Sequence, residues 1–377
     1  MKNNFLIIGD NKGRRIKTFT DCLKNKGIYN YSVMDWTEVL KNRKELEKNI
    51  KKSNIVRIEP PEKNMDIYKL FLDIGAESGG FSKDDMNKIN YNENIIISPK
   101  SWFKGIEKTF LVIDKLIKEN KDVLSMCDLK EALIMMDKGK TYGFLEGKGK
   151  SYYLPEKMPE YQNYDEFYEE NKDNFIKCFI KLRYGSGSTG VIAYSNNPKI
   201  KEEKIFTSLN YTKENGNKTF FSTYNVKSYT DKNRIRDMVN WVLENGAHIE
   251  KWIPKLIYEK KGFDTRAFVL DKKSEYLLSR FSSSPITNLH LKNERKESEE
   301  FLEKDETEII KKASEEVMTL FSKSLYSGID IVLANNLKPY VVDVNPFGDL
   351  FHNLIGTDKN VHYREIDKIL CKAAESR

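Results

Sequence analysis

The segment Gly328–Pro346, GIDIVLANNLKPYVVDVNP, constrains the fold of this chain most. Two alternating apolar runs flank the turn-rich Asn335–Lys338, a pattern that predicts a β-hairpin. Side chains alternate along a strand, so Ile329, Ile331 and Leu333 are expected to share a buried face with Tyr340, Val342 and Val344. Asp330, Val332, Val341, Asp343 and Asn345 then occupy the opposite face. A turn centred on Asn336–Leu337 sets Asp330 directly across from Asp343, with Cβ atoms about 4.5–5.5 Å apart, where like charges repel. Two carboxylates and the Asn345 amide oxygen converging there suit a hard divalent cation that keeps places for further oxygen ligands. A solvated polar face is an equal alternative, and a bulge would break this register.

A second signal is IKLRYGSGSTGVIAYS. Lys181 lies late in a strand, opposite the side taken by Ile180 and Leu182, and Gly185, Ser186, Gly187, Ser188, Thr189 and Gly190 follow. Glycines allow backbone N–H groups to approach phosphate oxygens, and the hydroxyls add donors. The loop leads into a strand, which excludes the phosphate-binding motifs that need a helix after the glycines. A flexible hairpin loop is the alternative, and for Lys181 an exposed strand lysine.

With 377 residues the chain has room for two or three domains at about 150 residues each. The apolar fraction of 39% supports packed cores and excludes a disordered chain. The formal net charge of +7 is interleaved with acid, as in KKASEEVM, so it does not form the one-sided patch a nucleic-acid binder needs. Cys22, Cys127, Cys178 and Cys371 form no CxxC pair and no zinc spacing, and free thiols in a reducing cytoplasm are expected. Neither a signal peptide nor a membrane-length apolar run is expected.

Phe5–Ile8, the helix ending at Gly27, YSVMDW and Ile55–Pro61 predict an N-terminal α/β domain over residues 1–100, with Ile95–Ile97 as a further strand. Residues 101–250 are read as a helical connection and a lid subdomain, with a polar connection at 147–165. Residues 251–377 are read as the subdomain holding the metal hairpin, with Glu303–Leu325 as the longest helix. DTRAFVL and EYLLSRF form a second hairpin around DKKS.

Taken in order, these segments resemble the ATP-grasp superfamily, from about Asp137 to Asn345. Within it the chain resembles a bacterial group with an undefined substrate. The resemblance implies an α/β and α+β fold: a Rossmann-like pre-ATP-grasp domain followed by a two-subdomain clamp around ATP. MDKGKTYGFL resembles the motif whose lysine contacts ATP phosphate, here Lys138, and the glycine segment resembles the lid hairpin with Lys181. HIEKWIP resembles the adenine hinge, which implicates Glu250, Lys251 and Ile253. GFDTRAFVL and SRFSSSPITNLH resemble the segments facing the transferred phosphate, which implicates Arg266, Arg280 and Asn288. The hairpin is similar to the family's metal hairpin, with Asp330, Asp343 and Asn345 as ligands. The family more often has Glu at the position of Asp343, and some amino-acid ligases carry Arg where this chain has Gly328.

The resemblance implies an ATP-dependent carboxylate–amine ligase acting through an acyl phosphate. ATP and Mg²⁺, with Mn²⁺ as the alternative metal, are the implied cofactors. Carboxylate and amine substrates, small molecules or peptides, are the implied partners, with no nucleic acid and no membrane. A small-molecule kinase and a non-catalytic nucleotide-binding protein remain open. Arg14 and Arg15 are read chiefly as caps of a surface turn, and His352 and His362 as surface residues with a general-base alternative.

Overall fold

The computed structural model describes residues 3–61, 64–82, 94–287, 294–348 and 360–375. Asn288 and His352 lie outside them. The strands fall into three sheets. The first comprises β1 (Phe5–Gly9), β2 (Tyr31–Asp35), β3 (Ile55–Ile58) and β4 (Leu124–Ser125), all parallel, in the order β2-β1-β3-β4. The unbroken apolar run of β1 is what a strand covered on both faces needs. Leu6 and Ile8 pack into one core while Phe5 and Ile7 pack into another.

Helices Met65–Gly79 and Pro99–Glu119 cover the first of these faces. Their closeness rests on glycines, Gly75 and Gly79 on one helix and Gly105 on the other. A Cβ at Gly75 would meet Ser101 O at 1.9 Å, and one at Gly105 would meet Phe71 O at 1.8 Å. Residues beyond 100 thus complete the N-terminal core, and β4 joins its sheet. Ile95 instead bridges to Phe221 of the second sheet.

The second sheet is antiparallel: β5 (Ile176–Leu182), β6 (Val191–Asn197), β7 (Glu202–Glu214), β8 (Asn217–Tyr229) and β9 (Ala247–Lys251), ordered β8-β7-β6-β5-β9. Helices Tyr164–Asn171 and Lys232–Glu244 pack on it. The third sheet holds β10 (Ile257–Tyr258), β11 (Lys261–Leu270), β12 (Lys273–Ser282), β13 (Glu294–Glu297), β14 (Tyr326–Leu333) and β15 (Pro339–Asn345), with order β13-β12-β11-β14-β15. One face buries Ala267, Val269, Ile329 and Ile331 against helix Lys304–Leu320. That helix stops at Leu320, so Pro99–Glu119, not the expected Glu303–Leu325 segment, is the longest among the described residues.

The other face of the third sheet changes character along its strands. Phe268, Leu270 and Tyr326 pack against Phe5, Ile7 and helix Val361–Glu375. Further along the same faces stand Asp264, Arg266, Arg280 and Asp330. Among the described residues no helix is long and apolar enough to cross a membrane.

The predicted hairpin forms, and Asp330 lies across from Asp343. Its predicted buried face is corrected. Ala334 N–H donates to Lys338 O (3.0 Å), closing a loop with Leu337 in the left-handed region at φ 57°. Near this loop Ile331 pairs with Val341, and beyond a bulge Asp330 pairs with Asp343. Val342 is the extra residue. Val341 and Val344 therefore enter the core, whereas Val342 and Tyr340 do not.

Candidate active site

The bulge turns the end of the hairpin toward a cleft between the second and third sheets. Lys138, Thr141, Tyr142, Leu145, Leu154, His248, Glu250, Val341, Val342 and Asp343 line it. On the hairpin side, Asp330 is buried and takes Arg266 in a fork, Nε to Oδ1 at 2.5 Å and Nη2 to Oδ2 at 2.9 Å. Arg280 Nη2 reaches Asp330 Oδ1 at 2.9 Å. Burial alone would raise the carboxyl's pKa, but the two guanidiniums outweigh it and hold Asp330 at about 2. Arg266 has room for this because residue 328 is glycine: a Cβ there would lie 3.1 Å from Arg266 Cδ. The missing arginine at 328 and the placement of Arg266 are thus one arrangement.

Asp343 is more open and faces Lys138, whose Nζ lies 3.3 Å from Oδ1 and donates to Gly185 O at 2.9 Å. Asn345 donates from Nδ2 to Gly328 O (3.2 Å), which leaves Oδ1 without a partner among the described residues. The two facing carboxylates repel, and the protein offsets this with Arg266, Arg280 and Lys138. Two carboxylates and an amide oxygen at this spacing fit Mg²⁺ chemically. Binding it requires the cations on Asp330 and Asp343 to move aside.

Across the cleft, Lys181 is buried in β5. It pairs with Glu250 and donates to Val342 O at 3.3 Å, the carbonyl exposed by the bulge. Glu250 also accepts from His248 Nε2 (3.2 Å), so its carboxylate is already engaged by two groups. Burial opposes its ionisation, but Lys181 and His248 prevail and lower its pKa. Lys138 begins a helix capped by Asp137, whose oxygens accept from Gly139 and Lys140 N–H and from Arg183 at 2.8–2.9 Å. In the Gly185–Gly190 loop, Gly187, Ser188 and Gly190 all have positive φ, and Ser186 and Gly187 are exposed.

Several placements differ from expectation. Arg266 and Arg280, read as facing a phosphate, are held by buried carboxylates, Arg266 by Asp330 and Arg280 by Asp264 (2.7 Å) and Asp330 (2.9 Å). Glu250 and Lys251, read as receiving adenine, have partners of their own. Lys251 N–H donates to Glu156 O (2.8 Å), and its ammonium pairs with Glu156 at 2.7 Å. The Ile253 N–H has no partner among the described residues. The polar connection is a strap. Tyr153 N–H donates to Pro339 O and Tyr153 O accepts from Val341 N–H, both at 2.9 Å, while Met158 N–H donates to Ile249 O at 2.9 Å. It ties β15 to β9 along one side of the cleft.

Sequence reasoning passed over His248, Asp264 and Lys255. Asp264 lies two residues before Arg266 on the same strand face, so strand alternation could have found it. Arg14 is exposed, as a turn residue should be. Arg15 is mostly buried, donating to Glu59 (2.5 Å) and to Phe347 O. His362, read as a surface residue, is fully buried with Glu365 at 2.7 Å, and burial lowers its pKa. All four cysteines are free thiols.

The whole chain superposes on solved ATP-grasp ligases. PsnB, complexed with a phosphomimetic variant of its minimal precursor, Mg and ADP, matches at 11% identity and TM-score 0.58, over 99% of each chain. The chain has the ATP-grasp fold. D-alanine–D-alanine ligase from Bacillus anthracis, complexed with ATP, matches at 12% identity and TM-score 0.56, over 100% of this chain and 98% of that one. D-cycloserine synthetase DcsG matches at 11% identity and TM-score 0.54 over 100% of both. No family model and no curated protein matches the sequence. In this chain the cleft lies between the sheet of β5 to β9 and the sheet carrying the carboxylate hairpin.

Proposed function

We propose that the chain is an ATP-dependent ligase that activates a carboxylate as an acyl phosphate and joins it to an amine. One observation carries this reading: Lys138 on Asp343, Lys181 on the adjoining Val342 carbonyl, and Arg266 and Arg280 on Asp330 gather cations around the hairpin's aspartate pair. Solved neighbours carrying ATP, or ADP and Mg, support it.

Asp330, Asp343 and Asn345 would hold Mg²⁺, which supplies charge neutralisation for the phosphates when bound. Lys138 and Lys181 bind phosphate oxygens, and the Gly185–Gly190 loop covers them and excludes water. Glu250, Lys251 and Ile253 border the base, with the Ile253 N–H as its free donor. Arg266 and Arg280, released from Asp330, stabilise negative charge on the reacting groups.

The test is turnover with Mg·ATP, pooled carboxylic acids and hydroxylamine as a trapping amine. Hydroxamate with equimolar ADP and phosphate is expected. ADP with a phosphorylated product and no free phosphate would make the chain a kinase.

A further inference from the structure

A buried lysine that the roles above leave unused stands beside the arginine–carboxylate cluster. Lys255 lies between β9 and β10, its backbone bridged to Ala334. Its stem rests on Gly262, where an added Cβ would sit 3.6 Å from Lys255 Cδ. The side chain is only 11% exposed. Its Nζ donates to Thr287 Oγ1 at 2.7 Å and stands 4.0 Å from Asp264 Oδ2. An ammonium has three donors, yet Thr287 is its one hydrogen-bond partner among the described residues. Asp264 is already occupied: Oδ1 accepts from Arg280 Nε (2.7 Å) and Oδ2 from the Thr287 hydroxyl.

Charge makes the same point. Lys255 and Arg280 share Asp264, two cations on one carboxylate whose oxygens already accept from Arg280 and Thr287. The imbalance grows if Asp330 turns to a metal. Buried unpaired charge is costly, and an anion removes the cost. The charged groups facing Lys255 are Asp264 on β11, Arg280 on β12, Lys181 on β5 and Asp330 on β14. Burial pushes the ammonium down to about 8; Asp264 resists, Arg280 and Lys181 reinforce the shift, and Asp330 resists. Lys255 holds none of the roles assigned above to the nucleotide, so the anion is assigned to the other substrate.

We propose that Lys255, with Thr287 and Arg280, forms the subsite for a carboxylate on the substrate other than ATP. This rests on the ligase reading. Bound there, a carboxylate supplies the missing acceptors and keeps Lys255 charged, so binding near pH 8 takes up protons.

The probes are acetate and inorganic phosphate, titrated calorimetrically into the full chain with Mg²⁺ and AMPPNP. In Lys255→Met, acetate affinity should fall at least about tenfold, with partial recovery in Lys255→Arg. AMPPNP affinity should stay within about twofold, because nucleotide contacts are elsewhere. In the wild type, acetate should move the Lys255 ε-carbon resonance and raise its titration midpoint. Equal or absent acetate binding in wild type and variant overturns the subsite. So does tighter binding of phosphate than acetate, or an AMPPNP loss that assigns Lys255 to the nucleotide. Failure of AMPPNP to bind wild type overturns the ATP reading instead, and acetate alone then still tests the subsite.

Discussion

At the scale of single residues, the two facing aspartates should behave differently. Asp330 is buried and forked by Arg266, so Asp330→Asn removes the carboxylate that Arg266 grips and one of the two that Arg280 reaches. Breaking such a pair costs about 3–5 kcal/mol, and thermal unfolding should shift down accordingly. Asp343 is a quarter exposed, and Asp343→Asn should move stability by less than about 1 kcal/mol while abolishing Mg²⁺-dependent ADP formation. The pH dependence follows from the same contacts. Asp330 and Glu59 are both held at about 2, below the ordinary carboxyl range. Their stabilisation is complete above the unfolded values near 4 and is lost as pH falls through about 2. Stability by denaturant titration should thus be flat with respect to these groups above about pH 5 and drop between about pH 4 and 2. Asp330 and Asp343 were legible in the sequence through strand alternation, and Arg266 through the resemblance carried by GFDTRAFVL. The guanidinium fork was not, because it depends on how strands separated by some sixty residues, at 266 and 330, pair.

At the scale of elements, the hairpin shows why register is hard to read. Its alternation was visible, but the αL residue in its loop moved the near-turn pairing by one position and the bulge restored it at Asp330. The bulge serves the site, because it turns the Val342 carbonyl to Lys181. Deleting Val342 should leave the circular dichroism spectrum unchanged and weaken Mg·AMPPNP binding at least about tenfold by calorimetry. The crossing of Met65–Gly79 and Pro99–Glu119 makes a second prediction. At Gly105→Ala the new methyl meets backbone at Phe71 O, which cannot swing away as a side chain can. A loss of about 1–3 kcal/mol or more is expected from thermal melts. The strap at residues 153–158 escaped the sequence because short polar segments that pair by backbone alone carry no apolar period.

At the scale of the whole molecule, a buried ion network joins the first sheet to the C-terminal helix. Arg57 donates to Glu59 and Glu365 at 2.6 Å and lies 4.1 Å from the Phe19 ring centroid. Arg15, from the same network, holds the Phe347 carbonyl just beyond Asn345. The N-terminal sheet thus fixes where the carboxylate hairpin ends. The ordered motifs made the fold legible at this scale, even though the solved structures it matches share little more than a tenth of its residues. The central claim is that Asp330, Asp343 and Asn345 gather one divalent cation at the nucleotide's phosphates. Mn²⁺ electron paramagnetic resonance with AMPPNP tests it directly. The wild type should bind one or more Mn²⁺ ions tightly in the presence of AMPPNP, and Asp343→Asn should release them at the same concentrations. An Asp343→Asn protein that holds Mn²⁺·AMPPNP as the wild type does would contradict it.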